Sequence, residues 1–177
     1  MCTEIEAKLK VDSHDEIVEK LADIGAEFAA EQFQADSYFD DADATLTRTD
    51  RCFRLRRSRT GRTDTVFLTY KGAREKDEYK KRREIEFEVP DADLAEKMLL
   101  ELGYEKKLAF EKKRRIWRFG DCEIALDELP LLGSFVEIEG PDGERIARVQ
   151  KHLGLDELSH IDHSYAALVA EKLAHGG

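Results

Sequence analysis

Glu4-Ile5-Glu6-Ala7-Lys8-Leu9-Lys10-Val11 alternates a charged residue with an apolar one over eight positions. Alternation with period two is the pattern of a half-buried strand, with one side wet and the other packed. Here the wet side is wholly ionic. The same pattern recurs along the chain. Arg54 and Arg56 alternate with Phe53 and Leu55, and Thr69 and Lys71 with Leu68 and Tyr70. Arg82, Glu84, Glu86 and Glu88 alternate with Ile85, Phe87 and Val89. Lys112, Arg114 and Arg118 share one parity, and Trp117 and Phe119 the other. Lys113 and Arg115 offer the opposite register, but placing Arg114 on the ionic face turns Trp117 outward with Phe119. Glu123 and Asp127 oppose Ile124 and Leu126, and Glu137 and Glu139 oppose Val136 and Ile138.

Helix signals separate some of these strands, in a weak internal repeat. Glu4-Ile5-Glu6 returns as Glu84-Ile85-Glu86 and Glu137-Ile138-Glu139, each followed by a turn signal and an amphipathic segment ending at Gly. In the first copy Ser13 and Glu16 read as a capping box, Ile17, Leu21 and Ile24 line one face, and Gly25 stops the helix. In the second, Pro90-Asp91 opens, Leu94, Met98 and Leu102 form the apolar row, and Gly103 closes. In the third, Pro141-Asp142 opens, Ile146, Val149 and Leu153 follow, and Gly154 closes.

An antiparallel sheet with one wet face gives the same alternation without any function. Two features weigh against that account. Ordinary solvent faces mix Ser, Thr, Gln and Lys, whereas these are rich in Arg and Glu. The apolar faces and about four helices also supply a core outside the sheet. If the sheet curls into a barrel, its ionic face becomes an interior. Like charges there are unfavourable unless balanced by one another, by metal or by ligand. Carboxylates suit hard cations such as Mg²⁺ or Mn²⁺, and Arg and Lys suit phosphate oxygens. A metal-bound triphosphate uses both sets.

Composition sets the outer limits. The chain has 177 residues, 41% hydrophobic and 38% charged, with 3 Pro and 11 Gly. That suits one domain over residues 1–177 and excludes disordered and low-complexity classes. No apolar run approaches the ~20 residues of a membrane span, and the start of the chain is no signal peptide. The expectation is a cytoplasmic protein without a membrane partner. The net charge of −10 argues against nucleic acid. Yet Arg51 to Arg83 holds 13 Lys+Arg against 4 Asp+Glu, and Lys106 to Arg118 holds seven against one. Such blocks are solvated faces or a site for a multiply charged anion. Cys2, Cys52 and Cys122 form no Cys-x-x-Cys and read as reduced thiols. The five His have no metal-ligand spacing, and His160, Asp162 and His163 read as a surface helix start. Outward aromatic residues fit either helix packing or a homodimer. The loop from Gly72 to Lys80 reads as a solvated connection rather than a lid.

Glu4-x-Glu6-x-Lys8 resembles the ExExK signature of the CYTH superfamily, the triphosphate tunnel metalloenzymes, and the remaining motifs follow in order. Gln34-Ala35-Asp36-Ser37-Tyr38-Phe39-Asp40 is similar to the second-strand motif of the class IV adenylyl cyclase-like branch. Arg54-Leu55-Arg56 resembles the R-x-R strand, Leu68-Thr69-Tyr70-Lys71-Gly72 the lysine strand, and Arg82-Arg83-Glu84-Ile85-Glu86 the R-x-E-x-E strand. Lys112-Lys113-Arg114 resembles the K-x-R strand, Leu126-Asp127-Glu128-Leu129 the L-D-x-V segment, and Gly133 to Glu139 the closing G-x-F-x-E-x-E strand. Ser164-Tyr165 resembles the motif of the last helix.

The resemblance implies an α+β fold: an eight-stranded antiparallel β-barrel with a charged interior, open at both ends, helices packed outside. It implies that Glu4, Glu6, Glu137 and Glu139 hold Mg²⁺ or Mn²⁺, with Asp127 as ligand or supporting neighbour. Lys8, Arg54, Arg56, Lys71, Lys112 and Arg114 then grip the triphosphate; Arg82, Glu84 and Glu86 complete the lining. Glu6, Lys71 and Glu137 are the expected catalytic residues. The implied activity is that of a class IV adenylyl cyclase, making cyclic AMP and pyrophosphate from ATP. The alternatives are a triphosphatase acting on inorganic, thiamine or nucleoside triphosphate, and a non-catalytic polyphosphate- or nucleotide-binding protein.

Overall fold

The computed structural model describes residues 2–75 and 79–175. Among these residues there are five helices and eight strands, β1 (Cys2–Val11), β2 (Glu27–Asp40), β3 (Cys52–Thr60), β4 (Thr63–Lys71), β5 (Lys80–Glu88), β6 (Glu105–Phe119), β7 (Cys122–Leu129) and β8 (Gly133–Glu139). The strands close into a barrel in the order β1-β5-β4-β3-β2-β6-β7-β8, and every pair is antiparallel. Closure removes every sheet edge and turns the ionic parity inward. Lys113 lies on the outside against Glu31, while Trp117 packs edge-on against Phe28. Lys112 and Arg114 therefore point in.

Since the interior is ionic, the apolar core lies outside the barrel, under the helices. Helices α1 (Asp15–Asp23) and α4 (Gly143–Leu153) bury Ile17, Leu21, Ile146, Val149 and Leu153 against Leu9, Ile124, Leu126, Val136 and Ile138. Each such side chain contributes about 1.5–3 kcal/mol. Asp142 caps α4, and Asp91 caps α3 (Ala92–Glu101), each carboxylate accepting a backbone N–H. At α1 the cap sits one residue later than expected: Ser13 accepts the N–H of Asp15, and His14 is the N-cap. Buried His14 bonds the Phe135 carbonyl at 2.9 Å, and this tertiary contact fixes the helix start. Gly154 ends α4 with φ of +65°, where a Cβ would also meet Lys20 Nζ at 2.8 Å. Gly154→Ala is expected to cost about 1 kcal/mol, read as a lower urea midpoint at unchanged m-value.

Two further expectations are corrected. The row Leu94, Met98 and Leu102 does not face the core: these side chains are 65%, 64% and 68% exposed, and α3 buries Ala92 and Leu99 instead. The small Ala residues let the helix lie close over Phe39 and Leu55, which leaves the large residues on its flank. Second, His160 to His163 do not start a helix. Residues 156–164 run irregularly along the barrel rim, and α5 (Tyr165–His175) begins only after them. Helix α2 is a single turn, Thr45–Arg48, whose N–H groups are held by the Asp40 carboxylate. No helix among the described residues is long and apolar enough to cross a membrane. Lys76, Asp77 and Glu78 of the expected solvated loop lie outside the described residues.

Candidate active site

The pleat of eight strands points one ionic side chain in two into a common tunnel, and the register sorts these into two groups. The first is acidic. Glu6 stands opposite Glu139 on β8, and Glu139 opposite Glu123 on β7, with Glu4 two residues along β1. Partial burial, then the charges of Glu4 and Glu6, push the Glu139 carboxyl up to about 7. Lys71 reaches across to both Glu4 oxygens (2.8 and 2.7 Å) and to Glu84 at 3.0 Å. Burial acts to deprotonate Lys71, but Glu4 and its neighbours outweigh it and hold the amine above its ordinary range. A cleft of about 450 Å³ lined by Asp121, Glu123, Glu139 and Arg145 opens beside this group.

The second group is a chain of ion pairs. Asp127, fully buried, accepts from Lys112 at 3.0 Å and takes Arg114 with both oxygens at 2.7 and 2.5 Å. Arg114 continues to Glu137, which lies 3.2 Å from Lys8. Burial, then the charge of Arg114, pushes Lys112 down to about 7, against the pull of Asp127 and Glu137. Arg56 grips Asp36 bidentately at 2.6 and 2.7 Å. Arg54, 3.9 Å from Asp36, donates to Thr69 at 3.2 Å and to Glu86 at 3.5 Å. Burial favours protonation of Asp36, yet Arg56 and Arg54 hold it far below the usual carboxylate range. Arg82 donates to Asp50 at 2.9 Å. The Nε atoms of Arg54 and Arg82 are buried and have no hydrogen-bond partner among the described residues. Buried donors of this kind are costly unless an acceptor comes to them.

One end of the barrel, beside the Leu129–Gly133 turn, is closed rather than open. Tyr165, the first residue of α5, packs edge-on against Phe135 and beside Leu129. Its ring lies 4.1 Å from Lys8 Nζ and 4.7 Å from Lys112 Nζ. Lys8 also donates to the His163 carbonyl at 3.2 Å, so the irregular strap fixes a tunnel lysine.

The structure thus brings Glu4, Glu6, Lys71, Glu84 and Glu139 together in one group. Lys8, Lys112, Arg114, Asp127 and Glu137 form another, and Arg54, Arg56 and Glu86 surround Asp36 and Thr69. Asp127 faces basic groups, apart from the Glu4–Glu6–Glu139 cluster. Sequence reasoning gave no role to Asp36, Glu123, Tyr165 or Asp50. Asp36 and Glu123 share the inward parity of their neighbours, a usable signal. Asp50 carries none, since it reaches Arg82 from a left-handed turn with φ of +53°.

Among the described residues no three Asp, Glu, His or Cys groups converge on one point as in a closed metal cage. The donor set does fit a hard divalent ion. Glu4, Glu6, Glu123 and Glu139 offer only carboxylate oxygens, and a cation among them relieves the crowding that lifts Glu139.

The pattern that defines the CYTH domain matches residues 3–165. The chain belongs to the CYTH domain family. The CYTH match ends at Tyr165, the residue that closes the barrel. A Methanocaldococcus jannaschii protein named "Putative adenylate cyclase MJ0240" is 32% identical over 136 residues, 77% of this chain and 75% of that one. The PH1819 protein of Pyrococcus horikoshii superposes with a TM-score of 0.83 at 31% identity, covering 96% of this chain and 99% of that one. The Hippeastrum protein HpAC1, described by a dominant triphosphatase activity, superposes with a TM-score of 0.73 over 95% of each chain. At 17% identity this last likeness is one of fold alone.

Proposed function

We propose that this CYTH protein is a metal-dependent enzyme acting on a triphosphate held in the tunnel, and that its reaction is the adenylyl cyclase one. The observation that carries the reading is the pair of buried Nε–H groups on Arg54 and Arg82 that find no acceptor among the described residues, in a tunnel that also holds a crowded carboxylate cluster. A triphosphate supplies acceptors to the first, and its divalent cation supplies charge to the second. Glu4, Glu6 and Glu139, with Glu123 beside them, would hold Mg²⁺ or Mn²⁺, which when bound polarises phosphate oxygens and lowers the pKa of an attacking hydroxyl. Arg54, Arg56 and Arg82 orient the phosphates through planar donor forks, and Lys8, Lys71, Lys112 and Arg114 neutralise charge that builds on the transferring group. The tunnel holds these donors in place before substrate arrives, so little reorganisation accompanies the reaction. Glu137 bridges Lys8 and Arg114.

Attack by a ribose 3′-hydroxyl on the α-phosphate gives cyclic AMP and pyrophosphate; the Methanocaldococcus relative supports this reading through its name. Hydrolysis is the second reading, favoured by the cleft of about 450 Å³ that leaves room for water beside Glu123 and Glu139. Incubation with ATP and Mg²⁺ or Mn²⁺, with products separated by ion exchange, distinguishes them. Cyclic AMP with pyrophosphate upholds the cyclase, orthophosphate the triphosphatase, and tight binding without turnover a non-catalytic protein.

The depressed Lys112 adds a proton signature. An incoming polyanion favours its charged form, so binding of inorganic triphosphate above pH 7 takes up a proton at Lys112 and weakens as pH rises. Calorimetry in buffers of different ionisation enthalpy is expected to show that uptake, and Lys112→Met to lose it.

A further inference from the structure

Arg82 shares the inward parity of Glu84 and Glu86 and is only 5% exposed, opposite Glu4 on β1. A group that holds it comes from outside the sheet. Between α2 and β3 the chain turns through Thr49, Asp50 and Arg51. The Asp50 N–H donates to the Thr47 carbonyl and the Arg51 N–H to that of Leu46, the bond pair that ends a helix in a left-handed residue. Asp50 is that residue, with φ of +53°. Gly suits such a position best, because a Cβ is unfavourable there.

What the aspartate side chain adds is a set of contacts. One carboxylate oxygen accepts from Arg82 Nη2 at 2.9 Å, and the other takes the backbone N–H and the Nε of Arg74 at 3.0 and 2.8 Å. Arg74 in turn donates to the Asp162 carbonyl at 2.7 Å. Three segments thus meet at this carboxylate, and the strap before α5 steadies one of them. Partial burial favours the protonated acid, but the Arg74 hydrogen bonds and the charge of Arg82 hold Asp50 below the usual carboxylate range.

We infer that Asp50 is a positioning residue for phosphate binding: it fixes the plane of the Arg82 guanidinium, and with it the direction of the buried Nε–H that finds no acceptor among the described residues. The inference rests on the reading that the tunnel holds a triphosphate. A guanidinium is planar, so a root fixed in β5 and a bond at Nη2 leave it little freedom. Without Asp50 the side chain regains rotamers that a phosphate must then freeze, which weakens affinity by up to about tenfold. Charge alone predicts the opposite sign. Asp50 lies beside a cavity of about 420 Å³ that is also lined by Arg51, Arg82 and Lys107. Deleting an anion there makes the mouth more positive, and a polyanion then binds more tightly.

Inorganic triphosphate, titrated calorimetrically, is expected to bind Asp50→Gly about tenfold more weakly than the wild type. Gly relieves the left-handed backbone, so turn strain is not the source of that loss. Asp50→Asn suits the same backbone and keeps one acceptor oxygen for Arg82. It is expected to bind only about threefold more weakly. In an Arg82→Met background, Asp50→Gly is expected to cost no further affinity. Binding by both Asp50 variants at least as tight as wild type overturns the inference, as does an undiminished loss in the Arg82→Met background. If far-UV circular dichroism shows Asp50→Gly unfolded, Asp50→Asn decides. A wild type that binds no triphosphate overturns the tunnel reading and this inference together. Tight wild-type binding with indifferent Asp50 variants overturns this inference alone.

Discussion

Glu139→Gln is expected to abolish metal-dependent turnover and, in the metal-free protein above pH 7, to raise stability. The two effects have opposite signs because one crowded carboxylate serves one purpose and harms another. In the folded chain Glu139 sits near Glu4, Glu6 and Glu123, and its pKa is raised to about 7, from 4.5 when unfolded. A carboxyl with a raised folded-state pKa binds more protons folded than unfolded. Stability is therefore lost as pH rises from about 4.5 to about 7, and the loss persists above that. Solvent at the tunnel mouth screens the repulsion, leaving about 1 kcal/mol at pH 8. Gln removes that cost. Thermal unfolding at pH 8 in chelator is expected to show a higher midpoint for Glu139→Gln than for wild type, with the two converging near pH 4. Added Mn²⁺ reverses the order, raising the wild-type midpoint and leaving the variant where it was. A variant that keeps both full turnover and the Mn²⁺ shift removes Glu139 from the metal set.

That crowding was legible in the sequence because parity is a one-dimensional signal. Once Glu4 and Glu6 share a strand face, and Glu137 and Glu139 share another, closing the sheet puts both faces inside. The barrel, its outer helices and the choice of Arg114 over Arg115 follow from alternation and from where Trp117 must go. What alternation cannot carry is contact between residues distant in sequence. Asp50 reaches Arg82 from a turn whose left-handed conformation no motif announces. Tyr165 closes the barrel from the far end of the chain, so a tunnel expected open at both ends has one end filled.

Helix faces were misread for a related reason. Leu94, Met98 and Leu102 have the spacing of a buried row, but spacing says only that residues share a side. Which side meets the barrel was settled by size. Ala92 and Ala95 allow close approach, and the larger row was left over. Arg56 shows the same limit on single-residue reasoning. Its inward parity suggests a side chain free to grip phosphate, yet it is also the bidentate partner of buried Asp36. Arg56→Ala therefore strips a buried carboxylate of its main counter-charge, and its stability loss is expected to rival its loss of triphosphate affinity.

Asp127→Ala is expected to be the most destabilising change in the tunnel, at about 3–5 kcal/mol, because it leaves two buried cations without their shared partner. Asp127 has no exposed surface, takes Arg114 on both oxygens and Lys112 on one of them, and is kept ionised by Arg114 and Lys112 against the effect of burial. Its folded pKa lies below the unfolded one, so its contribution is present at neutral pH and lost as pH falls below about 4. Two further changes follow from the same contacts. Lys112, already depressed to about 7, loses the main acid that supports its charge and titrates lower still. Arg114, released from its fork, keeps its contact with Glu137. Asp127→Asn keeps the shape without the charge and is expected to lose less than Ala while shifting Lys112 in the same direction. The decisive comparison is with metal. If Asp127 acts only by holding Lys112 and Arg114, an Asp127→Asn protein that still folds keeps the Mn²⁺-induced rise in thermal midpoint at pH 8, while its affinity for inorganic triphosphate falls. If Asp127 is itself a metal ligand, the Mn²⁺ rise disappears with it, as it does in Glu139→Gln.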